Sequence, residues 1–272
     1  MTLPGKFSTL VLARGGRRNG RGGDRTNAAA RETIGAGSRE FSRRYWAGGG
    51  RLLRPLQWLR YHTALGGAEE IPKPPSAVQR QLTIELEAAR ACRVCAAHLP
   101  HGPRPVLRAT ATARLLIVGQ APGTRVHESG VPWNDASGER LRDWLAIDRD
   151  RFYDENLVAV LPTGFCFPGN DAKGGDLPPR PECAPLWHPR LRPLLKRVKL
   201  TLLIGAYAQA YYLGKDAKET VTATVQAFDE YLPDFLPLPH PSWRNQGWLK
   251  RNPWFESDLL PVLRGAVADL AD

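Results

Sequence analysis

The sequence predicts an α/β fold: a three-layer α/β/α arrangement whose centre is a mainly parallel, four-stranded sheet. Three observations carry this. Four short apolar runs have the composition of strands buried on both faces: LLIV at 115–118, LVAVL at 157–161, LTLLI at 200–204 and FLPL at 235–238. Segments of helical length and pattern separate them, as crossover units require. Turns rich in Gly, Pro and polar or aromatic residues follow the runs, in the places where open α/β sheets put their ligands.

The elements follow in order. After the proline-rich joint IPKPPS at 71–76, a helix is expected over 77–92, with Leu82, Ile84, Leu86 and Ala89 on its apolar face. Strand Leu115–Gly119 runs into Gly-Gln-Ala-Pro-Gly at 119–123. A helix over Gly138–Leu145, with Ser137 as its cap or a first-turn residue, leads to strand Leu157–Leu161. A helix over Pro189–Val198 precedes strand Leu200–Ile204. Helices Tyr207–Leu213 and Ala217–Tyr231 precede strand Phe235–Leu238, and a helix over Phe255–Leu270, with Ser257 near its start, closes the domain. If the strands are parallel, their carboxyl ends share one sheet edge, and the segments leaving it are GQAPG, PTGFCFPG, GAYAQ and PHPSWRN. The first of these lacks the Lys-Ser/Thr of a P-loop and the third glycine of a dinucleotide fold. It is therefore a poor phosphate cradle, and a flatter, less charged ligand is expected there.

The net charge of +11 is concentrated at one end. Residues 1–60 hold 13 Lys/Arg against 3 Asp/Glu, whereas the remainder holds 25 against 24. With RGGRRNGRGG at 14–23 and GGGR at 48–51, residues 1–70 have the composition of a disordered basic tail, and the folded domain is assigned to 77–270. The tail reads either as a nonspecific tether to nucleic acid or as a solvated extension. No apolar run approaches the roughly 18 residues of a membrane span. The expected setting is the cytoplasm, in association with the nucleoid; an Arg-rich organellar presequence is the alternative address.

The four cysteines, Cys92, Cys95, Cys166 and Cys183, form a C-x2-C pair, then a gap of 70 residues, then a C-x16-C pair. A C-x2-C pair lets two thiolates reach one centre from a single turn, and the second pair flanks a Gly/Pro-rich loop able to fold back on itself. Four soft thiolates suit tetrahedral zinc or an iron–sulfur cluster, and residue type alone does not separate them.

GQAPG after a strand, PWNDASG at 132–138 and LPHPSWRN at 238–245 occur here in the order seen in uracil-DNA glycosylases. Over roughly residues 90–268 the chain resembles that superfamily, and the cysteine layout resembles its iron–sulfur branch. The resemblance implies a uracil-DNA glycosylase-like domain that excises uracil, or another deaminated base, from DNA by hydrolysing the N-glycosidic bond. It favours a [4Fe-4S] cluster over zinc at Cys92, Cys95, Cys166 and Cys183.

Such an enzyme must flip the nucleotide out of the duplex, stack it, read its edge and stabilise the departing base anion. By resemblance, His240, stiffened between Pro239 and Pro241, donates a hydrogen bond to the pyrimidine O2. Trp133 stacks on the flipped base, with Phe165 and Phe167 as rivals. Gln120 and Ala121 form a pocket wall. Ala121 stands where the best-known branch has an aspartate, so Asp135, rather than Glu128, is expected to activate water. The stretch LVAVLPTGF has no Asn at its end to read the base edge, which leaves Thr163 or the backbone of the Pro162–Phe165 turn and opens hypoxanthine as a substrate. Ser242, Trp243 and Arg244 are assigned to DNA, Trp243 as a wedge and Arg244 as a phosphate contact.

The expected partner is DNA carrying a damaged or deaminated base, met by a monomer with no membrane contact. Two other readings stand beside this one: a glycosylase-fold DNA-binding protein without catalysis, and an iron–sulfur protein with a redox or sensing role.

Overall fold

A computed structural model describes residues 76–271. The basic tail assigned to 1–70 lies outside the described residues. Strands β1 (Leu115–Val118), β2 (Val158–Val160), β3 (Leu200–Ile204) and β4 (Phe235–Leu238) form one sheet in the order β2-β1-β3-β4. Every neighbouring pair is parallel, so the predicted sheet is the one observed. Successive side chains on a strand point to opposite faces. Leu115, Ile117, Val158, Val160, Leu202 and Ile204 pack on one face, against α3 (Ala136–Leu145) and α9 (Leu260–Ala271). Leu116, Val118, Ala159 and Leu203 pack on the other, against α1 (Ala77–Arg90), α5 (Cys183–Leu191) and α6 (Ala206–Leu213). Apolar residues on both faces are the signature of a parallel sheet between two helical layers. Each fully buried Leu contributes roughly 1.5–3 kcal/mol.

Several helix boundaries differ from expectation, each for a local reason. Helix α3 starts at Ala136 because Asp135 caps it, its Oδ1 accepting the Gly138 N–H at 2.8 Å, and Ser137 takes the first-turn place instead of the cap. Helix α5 starts at Cys183 rather than Pro189 and contains both Pro185 and Pro189. Pro185 lies in the first turn, where its missing N–H has no helical partner to lose. Burial of Trp187 and Leu191 offsets the bond forfeited at Pro189. The long helix expected over 217–231 is divided into α7 (Val221–Gln226), capped by the Thr220 hydroxyl, and a 3-10 turn over Phe228–Tyr231. Ser257 sits inside a π-helical turn, Phe255–Leu259, ahead of α9, and its hydroxyl bonds to Asp258 instead of capping. Three short helices, α2 (Thr124–Ser129), α4 (Arg149–Tyr153) and α8 (Gln246–Arg251), are too brief for a periodic pattern to reveal. Among the described residues no helix is long and apolar enough to cross a membrane.

Candidate active site and cysteine cavity

The exits of β1, β2 and β4 build one open cleft at the carboxyl edge of the sheet. Gln120, Ala121, Trp133, Asp135, Asp176, His240 and Ser242 are among its lining residues. The first two exits are fastened together. Thr163 N–H donates to Gly119 O at 2.9 Å and Gly164 N–H to Gln120 O at 2.8 Å. The Thr163 hydroxyl, itself buried, lies 2.7 Å from Gln120 O. Gln120 donates its amide to Leu177 O at 3.2 Å, which ties the loop to the segment ahead of α5.

The PWNDASG segment delivers the aromatic face. Trp133 has φ of 56°, the left-handed region that bulky residues rarely adopt, at a cost of order 1–3 kcal/mol. Its ring packs over Gly119, where a Cβ would stand 3.0 Å from it. The turn closes tightly enough that a Cβ on Gly138 would stand 1.8 Å from Trp133 O, so only glycine fits there. Asp135 caps α3 from the same turn, and Tyr153 pins it by donating to Pro132 O at 2.9 Å.

The imidazole comes from the exit of β4. The ring centroids of Trp133 and His240 are 5.8 Å apart at 32°. His240 Nδ1 accepts the Ser242 N–H at 3.2 Å. That bond selects the tautomer with the proton on Nε2, leaving Nε2–H as a free donor. Burial lowers the His240 pKa, only partly opposed by the Asp135 charge, so the ring is neutral near pH 7. Asn245 donates to His240 O at 2.7 Å, and Arg140 to Ser242 O at 3.1 Å; both hold the loop in place. Ser242 Oγ accepts from Arg244 N–H. Trp243 is 69% exposed at the cleft's lip, beneath the Arg244 guanidinium.

The structure therefore brings Gln120, Ala121, Trp133, Asp135, His240 and Ser242 to one cleft, with Trp243 and Arg244 at its edge. It does not bring the Thr163 hydroxyl or the Phe165 ring there. Thr163 is spent on the β1 loop, and Phe165 is buried against His188. Phe167 is likewise buried, between His101 and His127. Asp176 escaped sequence reasoning; its one signal was a carboxylate in the Gly/Pro-rich loop between the second pair of cysteines.

A second cavity lies on the other side of the β2 exit. All four cysteines line it, together with Gly164, Phe165, Arg180 and Trp187. Cys92 and Cys95 arrive from the end of α1, Cys166 from the β2 exit and Cys183 from the first turn of α5. The four thiols are free and half-buried. Burial raises the pKa of Cys166 to about 11 and of Cys183 to about 12, and the neighbouring cysteines push in the same direction. Cys183 Sγ accepts the Phe165 N–H at 3.3 Å. Two further donors, Trp187 Nε1 and Arg180 Nε, are buried without a partner. Both belong to side chains that only donate. Among the described residues no three His, Cys, Asp or Glu converge closely enough to hold a single metal ion.

Fold and cleft define a class first: an open, parallel α/β protein with a polar, aromatic-floored ligand site at the carboxyl edge of its sheet. A model of the uracil DNA glycosylase superfamily matches residues 108–264. The chain belongs to that superfamily, and with it comes a glycosylase-type function on DNA. The matched stretch contains all three motifs with Cys166 and Cys183; Cys92 and Cys95 precede it.

Proposed function

We propose that the protein is an active DNA glycosylase that removes uracil or another deaminated base by hydrolysis of the N-glycosidic bond. One observation carries this: His240 is neutral, oriented by the Ser242 N–H, and left with an unspent Nε2–H beside the Trp133 ring. Bond cleavage puts negative charge on the base and positive charge on the sugar. A pre-oriented donor aimed at the base stabilises the first, and removing such a donor typically costs about 10²–10³ in rate. Asp135 places a carboxylate near His240 whose second oxygen is free of the capping bond, and its charge favours the positive sugar. Trp133 offers a stacking face, worth about 1–3 kcal/mol to a flipped base.

In this reading Cys92, Cys95, Cys166 and Cys183 hold a [4Fe-4S] cluster. The donor set fits. Four thiols ring one cavity without converging on a point, and the unpartnered N–H groups of Trp187 and Arg180 suit the sulfide acceptors a cluster presents. A zinc ion bound by four thiolates at about 2.3 Å would offer those donors nothing beyond the thiolates. Bound there, the cluster supplies cross-linking of three chain segments.

The test is cleavage of single- and double-stranded oligonucleotides carrying U, hypoxanthine or xanthine, followed by alkali treatment of abasic sites. Cleavage of at least one, lost at least 100-fold in His240→Ala with unfolding behaviour unchanged, is the expected result. DNA binding without cleavage of any substrate refutes it and supports the catalytically silent alternative, which Ala121 favours. Anaerobic purification should yield a brown protein with iron and inorganic sulfide; a colourless protein with stoichiometric zinc overturns the cluster.

A further inference from the structure

The β1 loop carries Ala121 where a water-activating carboxylate would be useful, and Asp135 has one oxygen committed to the Gly138 N–H as a helix cap. The cleft has a second carboxylate. Asp176, at the solvent-facing lip, is brought to the same loop by a distant segment: a Cβ on Gly123 would stand 3.3 Å from Asp176 Oδ2. We propose that Asp176 is the catalytic base of this cleft, supplying across space the carboxylate that the Gly-Gln-Ala-Pro-Gly loop lacks. The inference rests on the glycosylase reading above.

Three features support it. First, Asp176 has no capping duty. Its Oδ1 accepts from Asn170 Nδ2 at 3.0 Å, while Oδ2 faces the loop. One oxygen is thus anchored and the other left for water. Second, its segment is held from several sides. Gln120 donates to Leu177 O, the Thr124 hydroxyl approaches Asn170 Oδ1 at 3.4 Å, and Arg244 donates to Gly174 O at 3.1 Å. The last bond links the carboxylate's loop to the segment that carries His240. Third, partial burial raises the Asp176 pKa, with the Asp135 and Asp171 charges adding to this and Asn170 and Arg244 opposing it. A carboxylate made more basic is a better proton acceptor.

The step balances as follows. A water held by Asp176 attacks C1′ of the deoxyribose and loses a proton to the carboxylate as the C1′–O bond forms. The C1′–N bond breaks, and its electron pair leaves with the base. His240 Nε2–H hydrogen-bonds the resulting anion, which then takes up a proton from solvent. Asp135 holds charge near the sugar, while Asp176 moves the proton.

The experiment is single-turnover cleavage of a uracil oligonucleotide (or whichever deaminated base the parent cleaves), with binding of the same oligonucleotide measured alongside. Asp176→Asn should lower the rate at least 100-fold at near-parental affinity and abolish the acid limb of the pH–rate profile. Asp176→Gly should regain activity with added formate. Asp135→Asn, which keeps the cap, should retain the acid limb. An active parent whose Asp176→Asn variant stays within threefold of it overturns the assignment and leaves the glycosylase reading intact. A parent that cleaves no deaminated base overturns both.

Discussion

Acidification should destabilise this fold through one buried histidine. His188 on α5 is 2% exposed; its ring nitrogens lie 2.8 Å from the Tyr212 hydroxyl and 3.0 Å from Pro162 O. A carbonyl can only accept, so Nε2 carries the proton and Nδ1 accepts from Tyr212. The neutral ring satisfies both partners, and a second proton on Nδ1 would face a hydroxyl already donating. Burial lowers the His188 pKa from 6.5 to about 4. The unfolded chain therefore binds a proton that the folded one refuses between these values. The associated stability is complete above pH 6.5 and is lost as pH falls toward 4. The difference of about 2.5 pH units corresponds to roughly 3 kcal/mol in full, of which about 2 kcal/mol is lost between pH 7 and pH 5. Urea unfolding of the parent and of His188→Phe across this range isolates the effect, because titrations common to both cancel in the difference. The parent should lose about 2 kcal/mol more than the variant. A flat difference curve from pH 7 to 5 refutes the reasoning.

Two further perturbations test the PWNDASG turn. Gly138→Ala drives a methyl group into Trp133 O and should cost about 1–3 kcal/mol or more in urea unfolding; a loss well under that range would show that the turn relaxes freely. Asp135→Ala should lower stability by about 1 kcal/mol through the lost helix cap, whereas Asp135→Asn should lie within a few tenths of parent, both read from chemical denaturation.

The strands were legible because each is a continuous apolar run that no other element explains, and Leu200–Ile204 and Phe235–Leu238 match residue for residue. The three motifs were legible as cleft walls because each leaves or closes on a strand end. Other features depended on what a single stretch of sequence does not contain. Prolines at 185 and 189 disguised α5, whose burial outweighs its local preference. Thr163 stands at the right strand end to read a base, yet its hydroxyl is captured by a carbonyl 43 positions away. Asp176 reaches the cleft on a loop that Gln120 and Arg244 bind across 57 and 70 positions. Local chemistry and periodicity are written in neighbouring residues; the direction of a hydroxyl or the landing place of a loop is set by partners far along the chain.

The turn after β2 connects these observations. Pro162 lines the cleft, while Gly164, Phe165 and Cys166 line the cysteine cavity. Between them, Thr163 fastens the turn to the β1 loop by both its amide and its hydroxyl. His188 braces Pro162 from α5, the helix that Cys183 begins, and Cys183 Sγ accepts from Phe165 N–H. Five consecutive residues thus join the two sites. The cleft wall made by the β1 loop can keep its shape only while this turn does, and the turn is held at one end by strand pairing and at the other by the cysteine cavity. In the reading proposed above, a cluster bound at the cavity would act on the cleft through position, with no electron transfer required. That is a physical reason for four cysteines to be distributed around a core instead of gathered into a separate module. It also gives Gly164 its place: a Cβ there would stand 2.8 Å from Pro179, so the turn passes between the loop leading to α5 and Ala121 with no room for a side chain.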